Sequence, residues 1–267
     1  MPSAVAGVER FSHNGASLVD EVLGEADARH LVLLHGWGGN RDSLRGIGTL
    51  FQHTHTVHLI DLPGFGEAPP PPPDWGTIEY TDLIQQYLLD RVTGSVVLVG
   101  HSFGGRVSVR LAARHLPHVR ALVLMGVPGL PQPTLTSHGL RRWWIRSLRR
   151  TLIALKPVIG NGGVEWHTSR YGSKDYLAAG ALRSVLVRVV NEDLTGSAQA
   201  IACPTLLLWG TDDTETPVWL GQRYRELLGD RATLELLPHK DHHLYVGTGA
   251  HLCAYKIRQW LEGAAHG

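Results

Sequence analysis

Sulfur is scarce in this chain. Its two cysteines, Cys203 and Cys253, stand far apart. Two such residues cannot make a disulfide framework, and neither has the short spacing of a metal-ligand pair. A reducing, cytoplasmic setting is therefore the expectation. Long apolar runs are missing too. No stretch of about 18 apolar residues occurs, so no transmembrane span is expected. Met1 to Arg10 lacks a basic start followed by an apolar core, so it does not read as a secretory signal. Charge of one sign is also absent: 25 Lys and Arg against 24 Asp and Glu leave a formal net charge of +1. That balance offers no footprint for nucleic acid or for an anionic membrane surface. No internal repeat is visible.

What is present is apolar mass and punctuation. The chain has 267 residues, of which 43% are hydrophobic and 18% charged, enough for one large core domain with or without an inserted lobe. Histidine is plentiful at 16 residues. The cluster His53, His55, His58 invites a metal reading. On a strand, however, His58 opposes the other two, and a zinc site needs three or four convergent ligands. These are expected to be solvated loop and strand-edge histidines, and no metal is expected.

Along the chain, Val8 to Leu23 carries Asn14-Gly15 at its centre, a hairpin signal between two antiparallel strands. His30 to Leu34 is a short continuous apolar run, as expected of a strand buried on both faces. It ends in His35-Gly36-Trp37-Gly38-Gly39-Asn40. Arg41 to Phe51 is a helix candidate weakened by Gly46 and Gly48. Val57 to Ile60 reads as a strand leading into Asp61-Leu62-Pro63-Gly64-Phe65-Gly66, and Pro69 to Pro73 as a stiff extended loop. Thr77 to Asp90 shows a helical stripe of Ile78, Leu83, Ile84, Tyr87 and Leu88. Ser95 to Val99 and Val119 to Met125 are further buried strands. Strand and helix alternate, which implies a mostly parallel sheet with helices on both faces.

From Gly126 to Ala200 the alternation breaks. Arg141 to Arg150 is basic and aromatic at helical spacing. A membrane-surface helix is conceivable there, but a helix of an inserted lobe with its arginines in water is favoured. Leu177 to Val190 is another helix candidate. Thr205 to Trp209 resumes the strand pattern, followed by a helix over Val218 to Leu228, a last strand over Ala232 to Leu237, and a final helix over Ala250 to Leu261.

The chemistry centres on Gly100-His101-Ser102-Phe103-Gly104. An apolar β-branched run precedes it and a helical pattern follows, the context of a nucleophile elbow G-x-S-x-G. A serine hydroxyl is a weak nucleophile. It needs a base, and the base needs an orienting group. The chain offers Ser, Asp and His candidates in that order, each after a strand of the parallel sheet, at the edge where open α/β sheets bind ligands.

With these pieces the sequence resembles the α/β-hydrolase superfamily over nearly its whole length. The resemblance rests on His35 to Gly39, Asp61 to Gly66, Gly100 to Gly105, Trp209-Gly210 through Pro217, and the terminal histidine loop. It implies an eight-stranded, mostly parallel sheet with helices on both faces. The core would comprise residues 1–127 and 201–267, with a helical cap over 128–200. It is similar to the cap-bearing branch of carboxylesterases, carbon–carbon bond hydrolases and lactonases. By that resemblance Ser102 is the nucleophile, Asp213 the acid with Asp212 as alternative, and His242 the base. Asp241 stands where relatives carry glycine, which leaves His243 and His239 open. The backbone N–H groups of Trp37 and Phe103 would form the oxyanion hole. Trp143, Trp144, Trp166 and Tyr171 would shape an apolar acyl pocket, or simply pack the cap. The implied activity is hydrolysis of small or medium acyl esters, with no metal or organic cofactor and a small-molecule ester as partner. Carbon–carbon bond hydrolysis, lactone opening and non-catalytic ligand binding are the alternatives.

Overall fold

The computed structural model describes residues 7–24, 29–131 and 178–264. Eight strands form one sheet: β1 (Val8–His13), β2 (Ala16–Leu23), β3 (Arg29–Leu34), β4 (Thr56–Asp61), β5 (Ser95–His101), β6 (Val119–Met125), β7 (Thr205–Gly210) and β8 (Ala232–Leu237). Their order across the sheet is β1-β2-β4-β3-β5-β6-β7-β8. β1 and β2 are antiparallel to their neighbours, and every pairing from β4 through β8 is parallel. The hairpin turns on Asn14 and Gly15, at φ 49° and 78°, the left-handed pair of a type I′ turn.

Alternate side chains of each strand feed two cores. Val32, Leu34, Leu98, Leu122, Leu124, Leu207 and Trp209 pack on one face. They meet α2 (Thr77–Arg91), α3 (Ser102–Ala112), α4 (Arg183–Asn191) and α6 (Val218–Leu228). Leu31, Leu33, Leu59, Val99, Val123, Met125, Leu206 and Leu208 pack on the other, against α1 (Arg45–Gly48) and α7 (Gly249–Ala264). Burial on both faces explains why the central strands read as continuous apolar runs.

Three expectations are corrected. The helix foreseen over Arg41 to Phe51 is a 3₁₀ turn, Arg41–Leu44, followed by the single α-turn of α1; Gly46 and Gly48 supply too little helix propensity to extend it. Ile78 is exposed, and the core face of α2 runs through Tyr80, Leu83, Ile84, Tyr87 and Leu88 instead. His58 is buried rather than solvated. The Tyr87 hydroxyl donates to Asp20 Oδ2 at 2.9 Å, so it accepts from His58 Nδ1 at 2.7 Å. His58 Nε2 then accepts from His30 Nδ1 at 2.9 Å. One polar chain thus crosses the face of β2, β3 and β4, ending on a carboxylate.

The chain returning to the sheet after residue 177 is pinned through Glu192, just past α4. Its carboxylate accepts from the Thr77 backbone N–H at 2.9 Å, from the Thr77 hydroxyl, and from Arg110 Nη2 at 3.2 Å. It thereby caps α2, which Gly76 begins without a side chain. Buried Arg106 adds a bond from Nη1 to the Val189 carbonyl at 2.9 Å. α5 (Thr195–Ala200) then leads into β7.

Candidate active site

β5 turns directly into α3 at Ser102, whose φ is +47°. A non-glycine residue in the left-handed region stores strain that its surroundings must sustain. Here the clamp is close packing. Gly104 N–H donates to the His35 carbonyl at 2.9 Å, and a Cβ at Gly104 would collide with the Leu34 and His35 carbonyls. The helix can cross the end of β3 only over a bare Cα. Phe103 is buried beneath Trp37, Tyr80 and Phe65, with ring centroids 5.4, 5.0 and 5.9 Å away. Its backbone N–H belongs to the first turn of α3 and so lacks an intrahelical partner.

The loop after β3 is held by His35. Its Nε2 accepts from Leu62 N–H at 3.1 Å, so Nδ1 carries the proton and donates to the Gly36 carbonyl at 2.7 Å. Burial pulls this imidazole down to about 4, only partly offset by the Gly36 bond and the Asp61 charge, and keeps it neutral. Asp61 fastens the far end of the loop. It accepts from Arg41 N at 2.6 Å, Arg41 Nη1 at 2.5 Å and Glu67 N at 3.0 Å.

The turn after β7 and the loop after β8 meet. Asp212 N–H donates to the Lys240 carbonyl at 2.9 Å and Thr211 N–H to the Leu237 carbonyl at 3.1 Å. Gly210 sits beneath this crossing, where a Cβ would strike the Lys240 and Asp241 carbonyls. The register brings Asp213 onto His242. Asp213 Oδ1 accepts from the N–H groups of Glu215 and Thr216 at 2.9 and 2.7 Å. Oδ2 accepts from the Thr216 hydroxyl at 2.6 Å and from His242 Nδ1 at 2.9 Å. Burial raises the Asp213 pKa, but the bonds from His242 and Thr216 outweigh it and leave the carboxyl below its ordinary value. Burial likewise lowers His242, and the Asp213 bond and charge outweigh it, so this imidazole titrates above its ordinary value. With the proton on Nδ1, Nε2 is free to accept one.

The alternatives left open fall elsewhere. The Asp212 carboxylate accepts from its neighbour, the Thr211 hydroxyl, at 2.9 Å, and not from His242. His239 is exposed at φ 57°. His243 flanks the His101 ring, at 5.9 Å between centroids, rather than Asp213. Ser102, His242, Trp37 and Gly36 line one cleft of about 510 Å³, together with Glu215, His243 and Tyr245. Trp143, Trp144, Trp166 and Tyr171 lie outside the described residues, as does most of segment 128–200.

Residues 29–152 match the family model of the α/β hydrolase fold, and the strand order, elbow and loops described above are disposed accordingly. The chain has the α/β-hydrolase fold. Solved structures of the same fold align over almost all of this chain. A membrane phospholipase A, described as a bacterial virulence factor, superposes with a TM-score of 0.72 at 22% identity, covering 98% of this chain and 88% of that one. A thermophilic esterase from Thermogutta terrifontis gives 0.71 at 19%, covering 97% and 99%. A meta-cleavage product hydrolase from Pseudomonas fluorescens IP01 gives 0.66 at 19%, covering 94% and 96%. At such identities the likeness carries the fold and leaves the substrate open.

Three residues of this site carry no clear signal in the sequence. Thr216 was legible in principle, since a hydroxyl three residues after an aspartate can close a turn onto it. His101 had no signal beyond being the variable residue of the elbow. Its Nε2 donates to the His242 carbonyl at 2.9 Å, and its ring lies 4.8 Å from that of His242. Glu215 places Oε2 3.8 Å from His242 Nε2, which no local pattern announces.

Proposed function

We propose that this protein is a serine hydrolase that cleaves carboxylic esters of small or medium acyl groups through an acyl-enzyme. The observation that carries the reading is the Asp213–His242 bond of 2.9 Å on Nδ1, with the imidazole and Ser102 on the walls of one cleft. In the proposed reaction Ser102 Oγ attacks the ester carbonyl and His242 Nε2 takes its proton. The carbonyl oxygen becomes an oxyanion facing the amides of Trp37 and Phe103, donors worth about 3 kcal/mol each in such sites. His242 then protonates the departing alcohol. Water enters, gives a proton to the same nitrogen, and releases the acid and free Ser102. Asp213 holds the imidazole in the required tautomer and stays ionised. Every step is a proton or acyl transfer among these groups, and none calls for a cofactor. Segment 128–200 is assigned as the cap over the acyl site, with Trp143, Trp144, Trp166 and Tyr171 as its aromatic lining.

The test is a series of p-nitrophenyl esters from acetate to laurate, assayed with the wild type and Ser102→Ala. Turnover of part of the series, lost by a factor of about 10⁴ or more in the variant, supports the reading. A lactone and a vinylogous 1,5-diketone acid belong in the same screen. Turnover of only one of these shifts the assignment to lactonase or carbon–carbon bond hydrolase. No turnover at all, with tight binding of a small molecule, would replace catalysis with reception.

A further inference from the structure

The cleft carries an acidic group that ester hydrolysis does not require. Glu215 lies two residues after Asp213, and its N–H is fixed to Asp213 Oδ1 at 2.9 Å. Its backbone is therefore tied to the carboxylate that holds His242. Its carboxylate reaches the other side of the imidazole, with Oε2 3.8 Å from Nε2. The side chain remains 58% exposed, open to whatever enters the cleft. Among the described lining residues there is no lysine or arginine. The second lining carboxylate, Asp42, already has Arg45 against it at 2.6 Å. Glu215 is thus the one anionic side chain of the described lining without a lysine or arginine beside it, and it stands where a leaving group must pass to receive its proton from Nε2.

Resting on the serine-hydrolase reading above, we propose that Glu215 is a specificity-determining residue that selects esters whose alcohol portion is neutral or cationic and rejects those bearing a carboxylate there. A cation next to the scissile oxygen would exchange water for Glu215. An anion would be brought within a few ångströms of a like charge in a partly desolvated cleft, where such repulsion is least screened. The same carboxylate lies close enough to favour the protonated imidazole, adding to the larger effect of Asp213. Other groups also face His242. Asp213 sits on Nδ1, Asp241 precedes it in the loop, and the His101 and His243 rings lie 4.8 and 5.5 Å away. Tyr245 packs on His101 at 4.8 Å. Of these, Glu215 alone has a carboxylate on the Nε2 side within 4 Å.

The experiment compares acetate esters with uncharged, quaternary ammonium and carboxylate-bearing alcohols on the wild type, Glu215→Gln and Glu215→Lys. In the wild type kcat/KM for the cationic ester should exceed that for the anionic ester by about tenfold or more. The ratio should collapse toward unity in Glu215→Gln and invert in Glu215→Lys. It should also shrink as salt shortens the screening length from about 10 Å at 0.1 M to about 3 Å at 1 M. A ring-proton NMR titration of His242 provides a readout without substrate. Replacing Glu215 by Gln should lower its midpoint by about 0.5 to 1 pH unit, whereas Glu226→Gln on α6 should not move it. A charge ratio that is the same in all three proteins overturns the proposal. If the wild type turns over no ester, the ester reading fails instead, and an unmoved His242 midpoint in Glu215→Gln then overturns the role of Glu215 as well.

Discussion

At the scale of the residue, the site turns on which nitrogen of His242 bears a proton. Asp213 accepts from Nδ1, so a neutral His242 presents a bare Nε2. Asp213→Asn would offer an amide N–H to Nδ1 and favour the opposite tautomer. The expected result is a loss of kcat by about 10⁴ with an intact fold, checked by steady-state kinetics and circular dichroism. The pH profile follows from the same pair. Only neutral His242 can accept a proton, and its pKa lies above the ordinary 6.5 because Asp213 outweighs burial. The acid limb of kcat/KM should therefore rise with pH through a midpoint above 6.5. For stability the sign is opposite: the pairing of charged His242 with Asp213 contributes fully below 6.5 and fades as pH climbs through the raised value. Ser102 and Asp213 could be named as candidates because a motif fixes their spacing to a turn. His242 could be named only as one of three candidates, since Asp241 stands where the resemblance leads one to expect glycine. What singles it out is the crossing of two loops, a relation between distant parts of the chain. Glu215 and His101 depend on the same crossing and leave no local trace.

At the scale of the element, the strand ends govern geometry. The buried strands were readable because both faces are apolar, whereas the helix expected over Arg41 to Phe51 shortens to Arg41–Gly48, where Gly46 and Gly48, which weaken it in the sequence, end it. Ile78 fitted a helical stripe yet faces solvent, since α2 is docked by its tyrosines. Gly210 lies under the loop that carries His242. Gly210→Ala should displace that loop, lowering kcat by about tenfold or more with a smaller change in KM and costing about 1–3 kcal/mol of stability. Kinetics and a urea titration read the two effects. Glu192 offers a contrast, being remote from the cleft and tied to α2 and α3. Glu192→Ala leaves the buried Thr77 N–H and Arg110 Nη2 without their carboxylate partner. The urea titration should register a loss of about 1–3 kcal/mol.

At the scale of the whole molecule, three imidazoles are sealed in uncharged. Burial takes His35 to about 4, and burial together with neighbouring histidines takes His58 and His101 to about 3. They sit on or beside three different strands of the sheet. The unfolded chain takes up protons at these positions below about 6.5 while the folded one does not, so stability falls as pH drops through that window. The urea midpoint should decline steadily from pH 6.5 toward 4, more steeply than carboxylates alone would produce. An unchanged midpoint over that interval would contradict the neutral assignment of these three rings.

His101 deserves its neutral form for a further reason. Its Nε2–H is held by the His242 carbonyl, while Nδ1 faces Gly36 with no hydrogen-bond partner among the described residues. That hydrogen is shut away from solvent by both loops. In an NMR spectrum it should persist as a slowly exchanging imidazole resonance, a built-in beacon that goes dark whenever the residue before Ser102 and the residue opposing Asp213 part company.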